Sequence, residues 1–340
     1  MPKAAYITIG SLLTAPLRIT ERLAYGATIA RTEITKDPVF ILGHWRTGTT
    51  FLHNLLCQDP QFGFLSTFLT VAPEFSLVSE RWLKPALGLL LPDHRPQDNI
   101  ALNPDLPQEE ELAMPPMCPY TMYAGYHFPA QFRSYFTRFV LFEGIPEGER
   151  QAWRNAYHWL LRKATYCAQG RQLVLKSPTN TGRIPELLAL YPNARFIHIY
   201  RNPYVLYGST LRLYAKMLQV SALQRYTQEE IEENVFVFFE RMMRKYLEDR
   251  TQIPDERLVE LRFETFEQDP LNGLREAYDV LGLDGFDAAL PQLNAYLDSV
   301  RGYRKNRYRL DQITVDRIRE RWGFALEAWN YDVPDDLDII

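Results

Sequence analysis

The chain lacks any apolar run that approaches the roughly 20 residues needed to cross a bilayer. Its mildly apolar N-terminal stretch, residues 7–31, is interrupted by Gly10, Pro16, Arg18 and Glu21. The stretch therefore resembles neither a clean signal peptide nor a membrane anchor. We expect residues 1–36 to form a helical lead-in docked on the main domain. The alternative is an amphipathic helix that makes a peripheral contact with a membrane.

The chain also lacks an excess of charge and closely spaced cysteines. It has 38 basic and 42 acidic residues, a net charge of −4. General nucleic-acid binders are usually basic, so we expect no nucleic-acid partner. Cys57, Cys118 and Cys167 lie far apart without the spacing of a metal site. They predict free thiols, a reducing compartment and a cytoplasmic protein.

What the chain does have is an alternation of strand and helix patterns. Apolar runs predict strands at residues 39–42, 172–175, 195–200 and 257–262. Helical patterns occupy residues 149–168, 184–190, 205–216, 231–249 and 270–281. This order favours an α/β fold with a P-loop-like central parallel β-sheet, flanked by helices on both faces. We predict one domain over residues 37–340.

An irregular insertion is predicted within that domain at about residues 60–145. Residues 112–136 are dense in methionine and aromatic residues and are interrupted by prolines. Such side chains either cap the core or line an apolar or aromatic acceptor site.

The turn after the first predicted strand has the spacing of a phosphate-binding loop. Gly43 and Gly48 bound it, and an apolar helical pattern begins near Thr50. One lysine is missing, because Thr49 stands where P-loop nucleoside triphosphatases carry it. Backbone N–H groups and the helix dipole favour an anion there, and Thr47, Thr49 and Thr50 add hydroxyl groups. The loop thus predicts phosphate binding without the group that reaches a triphosphate's outer phosphates.

Cations follow the predicted strands at the sheet edge where ligands bind. Arg46 lies in the loop, Lys176 follows the second long strand, and Arg201 follows the third. In an ATPase this third strand would commonly end in a magnesium-binding aspartate. The basic run at residues 300–310 fits a flexible flap over an anion. Together these features predict a nucleotide whose phosphates are neutralised by side chains, with no metal.

Two motifs resemble those of the sulfotransferases that use 3′-phosphoadenosine 5′-phosphosulfate (PAPS). The segment from Arg46 to Thr50 is similar to their 5′-phosphosulfate loop. Arg201-Asn202-Pro203, with Ser209 eight residues after the arginine, is similar to their 3′-phosphate motif. The resemblance is to a bacterial-type group that is distantly similar to tyrosylprotein sulfotransferases, and it covers roughly residues 38 to 330.

The resemblance implies roles for these residues. Arg201 and Ser209 would hold the 3′-phosphate, and Arg304 and Lys305 would close over the nucleotide. Lys176 matches a lysine that stabilises the transferring sulfuryl group. With Arg46, it would offset the negative charge that builds on the bridging oxygen. The 5′-phosphosulfate would be held by Arg46, Thr47, Gly48, Thr49 and Thr50.

The acceptor hydroxyl needs a general base, and the sequence offers several candidates. The segment PQEEELA resembles an acidic patch of the related enzymes, with Glu109 as the first choice and Glu111 as the second. His127 is an alternative, whereas we expect His44 to shape the loop. The competing interpretation is that residues 109–111 simply begin an exposed helix.

Other functions stay open at this point. A P-loop kinase or phosphotransferase is disfavoured by Thr49, and a catalytically inactive nucleotide-binding protein is disfavoured by Arg46 and Lys176. The aromatic segment favours an apolar or amphipathic acceptor, namely a small molecule, a lipid or a carbohydrate. The sequence leaves the oligomeric state open, and a homodimer is the state we predict.

Overall fold

A five-stranded parallel sheet lies at the centre of the protein. The computed structural model describes residues 2–92, 101–302, 309–335 and 337–339. The sheet has the order β2-β3-β1-β4-β5, and every pairing in it is parallel. Its strands are β1 (Val39–Leu42), β2 (Phe62–Gly63), β3 (Gln172–Lys176), β4 (Arg195–Tyr200) and β5 (Leu258–Arg262), and a separate pair consists of β6 (Arg309–Leu310) and β7 (Asp338–Ile339).

Helices surround this sheet. Those before β3 are α1 (Pro2–Arg31), α2 (Thr49–Leu56), α3 (Thr67–Val71), α4 (Ser76–Leu90), α5 (Met114–Met117), α6 (Ala124–His127), α7 (Phe132–Phe139) and α8 (Glu147–Cys167). Those after β3 are α9 (Ile184–Leu190), α10 (Pro203–Ser221), α11 (Gln228–Asp249), α12 (Phe263–Gln268), α13 (Pro270–Leu281), α14 (Phe286–Val300) and α15 (Gln312–Ala328). Within the described residues, five short 3₁₀ helices cover Glu110–Ala113, Pro129–Gln131, Pro178–Gly182, Arg250–Gln252 and Asp255–Arg257.

The sheet is buried on both faces, which explains its continuous apolar strands. All four residues of β1 are buried, as parallel strands require when helices cover both faces. One core cluster packs α2, α13 and α14 against the sheet. The other packs α8, α9, α10, α11 and α15 against the opposite face. The predicted α/β fold with a central parallel sheet is confirmed.

The functional edge of the sheet follows from its order. β1 pairs with β3 on one side and with β4 on the other. The strands that follow β1 in the chain are therefore added first on one side of it and then on the other. Ile41 is in register with Lys176, and Leu42 with His198. The loops after β1, β3 and β4 therefore start side by side at the carboxyl edge, where ligands of open α/β sheets bind.

The expectation of an irregular region at residues 60–145 is wrong in part. The described residues there include α3 to α7, and α4 alone has 15 residues. Pro115 and Pro116 lie in the first turn of α5 and Pro129 begins a 3₁₀ helix. Proline is tolerated at these positions because the first N–H groups of a helix have no intrahelical partner. Pro115, Pro116 and Pro129 thus mark helix starts, whereas Pro119 lies between α5 and α6.

The N-terminal residues form one long helix, α1, which contacts α4 and α8. Glu21 is buried on α1, where its carboxylate pairs with Lys163 of α8. The same carboxylate accepts the backbone N–H of Leu77 at 2.7 Å, in the first turn of α4. One side chain thus joins three helices. Among the described residues, no helix is long and apolar enough to cross a membrane.

Candidate active site

The loop between β1 and α2 is tightly constrained at its two glycines. Gly43 has φ 149°, and a Cβ there would lie 2.5 Å from the Ile199 carbonyl oxygen of β4. Gly48 has φ 97°, and a Cβ would lie 2.2 Å from the Phe263 ring. Any side chain at either position would displace the loop from the sheet edge. Gly48 is also the N-cap of α2, so its position offers no side chain to the first N–H groups of that helix.

Hydrogen bonds fix the rest of the loop from both ends. Thr47 donates its hydroxyl to the His44 carbonyl oxygen at 2.8 Å. The Gly43 N–H donates to the Thr181 hydroxyl oxygen at 2.8 Å, and that hydroxyl donates back to the Gly43 carbonyl oxygen at 3.1 Å. Thr47 and Thr181 are therefore occupied in shaping the loop. Arg46 has φ 74°, a left-handed conformation that costs free energy for a non-glycine residue.

The two predicted nucleotide motifs meet at this loop. The Arg46 Nε atom donates to the Ser209 hydroxyl oxygen at 2.8 Å, although the residues lie 163 positions apart. Arg201 donates from Nη1 to the Arg46 carbonyl oxygen at 3.1 Å. The Arg201 guanidinium lies 4.4 Å from the centre of the Phe263 ring. Two guanidinium groups and a hydroxyl thus converge beside the start of α2, where an anion is favoured.

The third predicted cation, Lys176, lies next to the same loop. Its Nζ atom is 2.5 Å from Oε1 of Glu109 and 3.3 Å from the Thr50 hydroxyl oxygen. Glu109 also accepts the phenolic O–H of Tyr123 at 3.3 Å. The lysine is buried and the carboxylate nearly so. The structure therefore brings the favoured base candidate and the predicted catalytic lysine into one ion pair.

Glu111 occupies a different environment, two residues further along. It receives both terminal nitrogens of Arg183, at 2.5 and 3.0 Å, and the two side chains are fully buried. Hydroxyl groups of Thr121 and Thr179 donate to the same carboxylate at 2.7 and 3.3 Å. Arg183 in turn donates from Nε to the Phe139 carbonyl oxygen at 2.8 Å. Glu111 thus ties the 3₁₀ helix Glu110–Ala113 to the segment after β3.

Glu110, which the sequence interpretation passed over, is also completely buried. Its Oε1 atom accepts the Tyr157 hydroxyl at 3.0 Å and the Asn180 side-chain amide. Its Oε2 atom has no hydrogen-bond partner among the described residues. Burial raises the pKa of Glu110 to about 7. The idea that residues 109–111 begin an exposed helix is therefore wrong.

A cavity of about 190 Å³ opens where these groups meet. Arg46, Thr49, Thr50, Gln108 and Glu109 line its polar side. The apolar and aromatic lining comes from Trp45, Leu102, Leu112, Tyr123, Tyr126, Pro178, Leu213 and Met217. A larger cavity of about 780 Å³ lies elsewhere, between α4 and the end of α8, and none of the predicted site residues lines it. The smaller cavity is therefore the candidate active site.

His127, the alternative base candidate, lies outside this lining, as do His44 and His53. The His127 Nδ1 atom lies 3.0 Å from the Ser221 carbonyl oxygen. Burial lowers the pKa of His44 to about 3, and its Nδ1 atom lies 3.0 Å from the Trp45 carbonyl oxygen. Burial, followed by the nearby Lys176 charge, lowers the pKa of His53 to about 3. His44 and His53 are neutral at physiological pH and are weak bases.

Two predicted residues lie outside the described part of the chain, and three residues that shape the site were not predicted. Arg304 and Lys305, the predicted flap contacts, lie outside the described residues. Thr181, Arg183 and Asn180 were missed, although TNTGR follows the LVLKSP motif directly. The run of small polar residues after a strand that ends in lysine was the available signal.

In the described part of the chain, no group of three or more His, Cys, Asp or Glu side chains could hold a metal.

Comparisons with known proteins identify the family of this chain. A family model described as the sulfotransferase family matches residues 38–288. The omega-hydroxy-beta-dihydromenaquinone-9 sulfotransferase Stf3 of Mycobacterium bovis is 33% identical over 337 residues, covering 97% of this chain and 84% of the relative. The same-named protein of Mycobacterium tuberculosis matches equally.

Solved structures show the same fold. Sulfotransferase STF9 from Mycobacterium avium superposes with a TM-score of 0.69 at 18% identity, over 95% of this chain and 83% of the other. Sulfotransferase STF1 from Mycobacterium tuberculosis gives a TM-score of 0.66 at 18% identity, over 91% and 81% of the two chains. With its family match, its relatives and its fold in agreement, the chain belongs to the sulfotransferase family and is an enzyme.

Proposed function

We propose that the protein transfers a sulfuryl group from PAPS to a hydroxyl on an apolar or amphipathic acceptor. The observation that carries this proposal is the bond from Arg46 to Ser209 at 2.8 Å, with Arg201 donating to the same loop. It supports one anion site built from the two motifs that resemble those for the 5′- and 3′-phosphates. Bound there, PAPS supplies an activated sulfuryl group.

Different residues around the loop would bind different parts of the donor. The backbone from Thr47 to Thr50, at the start of α2, would hold the 5′-phosphosulfate through N–H groups. Arg201 and Ser209 would hold the 3′-phosphate, where a planar guanidinium can make two parallel hydrogen bonds. Arg304 and Lys305 stay a prediction as flap contacts. These fixed cations would offset the donor's negative charge without a metal.

Glu109 is our choice for the general base, because it lines the cavity beside Lys176. As paired in the structure, Oε1 of this carboxylate is occupied by the Lys176 ammonium at 2.5 Å. A sulfuryl group in the loop would draw the Lys176 ammonium towards its oxygens. Glu109 would then lose its counter-ion and accept the proton of the acceptor hydroxyl. Lys176 and Arg46 would meanwhile stabilise the charge on the oxygen that leaves.

Glu111 has a different role in this proposal. Its carboxylate already receives four hydrogen bonds, two from Arg183 and two from threonines. Because a carboxylate has about four lone-pair positions, these contacts leave none for a substrate proton. We therefore assign Glu111 to positioning the short helix that begins after Glu109.

The cavity also bears on the acceptor. Most of its lining is apolar or aromatic, yet its volume of about 190 Å³ holds only a small group. The Stf3 relatives are named for a menaquinone-type acceptor. We propose that a lipid-like acceptor inserts its hydroxyl-bearing end and leaves the remainder outside. A lipid acceptor would reach the enzyme from a membrane surface, so we also propose membrane contact through the N-terminal helix.

The direct test is titration of the purified protein with 3′,5′-adenosine bisphosphate and, separately, with ATP and magnesium. We expect the bisphosphate to bind with or without magnesium. The Arg201→Ala variant should weaken that binding about a hundredfold, since a charge-assisted bidentate contact is lost. Arg212→Ala removes an exposed arginine from α10, the helix that follows Arg201, and is the matched control. Tight ATP–magnesium binding with no bisphosphate binding would refute the proposal in favour of a phosphotransferase.

A further inference from the structure

Helix α1 has its apolar side turned away from the protein. Surface helices normally bury their apolar stripe and expose their polar side. On α1 the reverse holds, and the side chains of Leu12, Leu13 and Leu23 are 70%, 74% and 81% exposed. Ile9 and Ile19 are exposed as well. At 100° per residue these five positions return to one side of the helix, so they form a continuous stripe.

The opposite side of α1 is the one that holds the helix in place, and it does so largely with charge. Glu21 is buried in its ion pair with Lys163 and accepts the Leu77 N–H. Arg18 lies 3.8 Å from Glu74. Burial lowers the pKa of Lys163, while its pairing with Glu21 opposes that shift. Because these contacts fix the rotation of the helix, the apolar stripe is held outward.

The neighbouring helix α4 extends this surface. It contacts α1, and its exposed side chains include Trp82, Leu89 and Leu90. Trp82 and Leu89 are seven residues apart and therefore share one side of α4. Tryptophan is enriched where apolar lipid meets water, because its ring is apolar and its N–H is polar. We call the exposed apolar residues of these two helices, Ile9, Leu12, Leu13, Ile19, Leu23, Trp82, Leu89 and Leu90, the α1–α4 face.

Charge identifies what this face would contact. Among its described side chains, helix α1 carries three arginines, Arg18, Arg22 and Arg31, against the single acid Glu21. The whole chain, by contrast, has a net charge of −4. Arg22, Arg31 and Arg81 are exposed on the two helices, and the exposed acid Glu80 of α4 is paired with Lys84 at 3.0 Å. Cations beside an outward apolar stripe match a surface of anionic headgroups over acyl chains, and each contributes about 1 kcal/mol near such a surface.

We propose that the α1–α4 face docks on the surface of a bilayer that contains anionic lipids, with the exposed leucines in the headgroup region. The proposal extends the membrane contact inferred above to a defined two-helix surface and a lipid class. Docking would bring the enzyme to acceptors that are themselves held in the membrane. It does not require sulfuryl transfer, so its failure and that of the proposed chemistry are separable.

The test is sedimentation of the full chain with phosphatidylcholine vesicles, with and without phosphatidylglycerol. We expect binding to the anionic vesicles that weakens as salt is added, because salt screens the arginines. The double variant Leu12→Ser, Leu13→Ser should bind about a hundredfold less, at roughly tenfold for each leucine withdrawn from lipid. Ile313→Ser on α15, where the side chain is 73% exposed, is the matched control and should bind like the parent.

Bisphosphate binding by every variant shows that the fold is intact and reports on the donor site independently. The proposal is overturned if the parent ignores anionic vesicles, or if Leu12→Ser, Leu13→Ser binds them as well as the parent does. It is also overturned if the parent is a dimer that fails to bind vesicles and the double variant is a monomer. In that case the face covers a second copy of the chain.

Discussion

Two buried ion pairs join residues 109–111 to residues 176–183. They differ in how many hydrogen bonds the carboxylate of each pair accepts. Glu111 and Arg183 are fully buried, and the carboxylate accepts four hydrogen bonds. Glu109 and Lys176 lie beside the cavity, and among the described residues the Glu109 carboxylate accepts one further hydrogen bond, from the Tyr123 hydroxyl. A pair built to hold structure leaves no room for a reactant. A pair beside a cavity keeps groups that can exchange partners when substrate arrives.

The largest effect should come from removing the cation of the cavity pair. Lys176→Met is expected to lower kcat about a thousandfold, because charge on the leaving oxygen loses its stabilisation. Single-turnover rates with saturating donor would measure this loss. Affinity for 3′,5′-adenosine bisphosphate, which carries no sulfuryl group, should stay close to that of the parent. An undiminished kcat would mean that this pair too is structural.

The other pair should respond in stability instead of rate. Glu111→Gln leaves Arg183 buried without its counter-charge, so the free energy of unfolding should fall by about 3 kcal/mol or more. Urea denaturation measures this change. Glu143→Gln is the matched control, because Glu143 pairs with Arg241 at the exposed surface and should cost under about 1 kcal/mol. Turnover per folded molecule should survive in both variants, and its loss in Glu111→Gln would erase the contrast between the pairs.

Removing the base should affect the rate but spare donor binding. Glu109→Gln keeps the shape of the side chain and is expected to lower kcat about a hundredfold, as loss of a general base does. The pH profile of kcat should lose its acidic limb in this variant. A profile identical to that of the parent would assign the base to another group.

The smallest effect concerns Glu110, which lies between the two pairs in sequence. Its folded-state pKa is raised to about 7 from the model-peptide value of 4.5, so the folded protein binds the proton more tightly than the unfolded chain. Its contribution to stability is fully present below about pH 4.5 and is lost as the pH rises through 7. Glu110→Gln should therefore unfold like the parent at pH 5 but gain about 2 kcal/mol at pH 8. Equal stability differences at both pH values would contradict a protonated Glu110.

The sequence was most informative where local pattern decides the structure. The strands at residues 39–42 and 195–200 lie where predicted, and at the carboxyl edge Lys176 ends β3 and Arg201 follows β4. Both positions depend only on a buried apolar run and on the rule for parallel sheets. The prolines of residues 60–145 misled the prediction, because local pattern does not separate a helix start from a loop.

Contacts between distant segments were beyond the sequence. Glu109 and Glu111 look equivalent in PQEEELA, yet one meets Lys176 and the other meets Arg183, 67 and 72 residues away. The partner depends on how the 3₁₀ helix is rotated, which tertiary packing sets. Thr181 was missed for the same reason, since its bonds to Gly43 span 138 residues. The homodimer stays a prediction.

The bond between Arg46 and Ser209 has a consequence for folding. Since it joins positions 163 residues apart, the proposed donor site would form only after the strands that precede these residues, β1 and β4, have paired. A contact of such long range forms late and slows folding, because the intervening chain must be ordered first. A ligand that binds only this completed arrangement raises the free energy of unfolding by mass action. The nucleotide would thus act as a thermodynamic clamp on the whole sheet, and its cellular concentration would set how much of the enzyme stays folded.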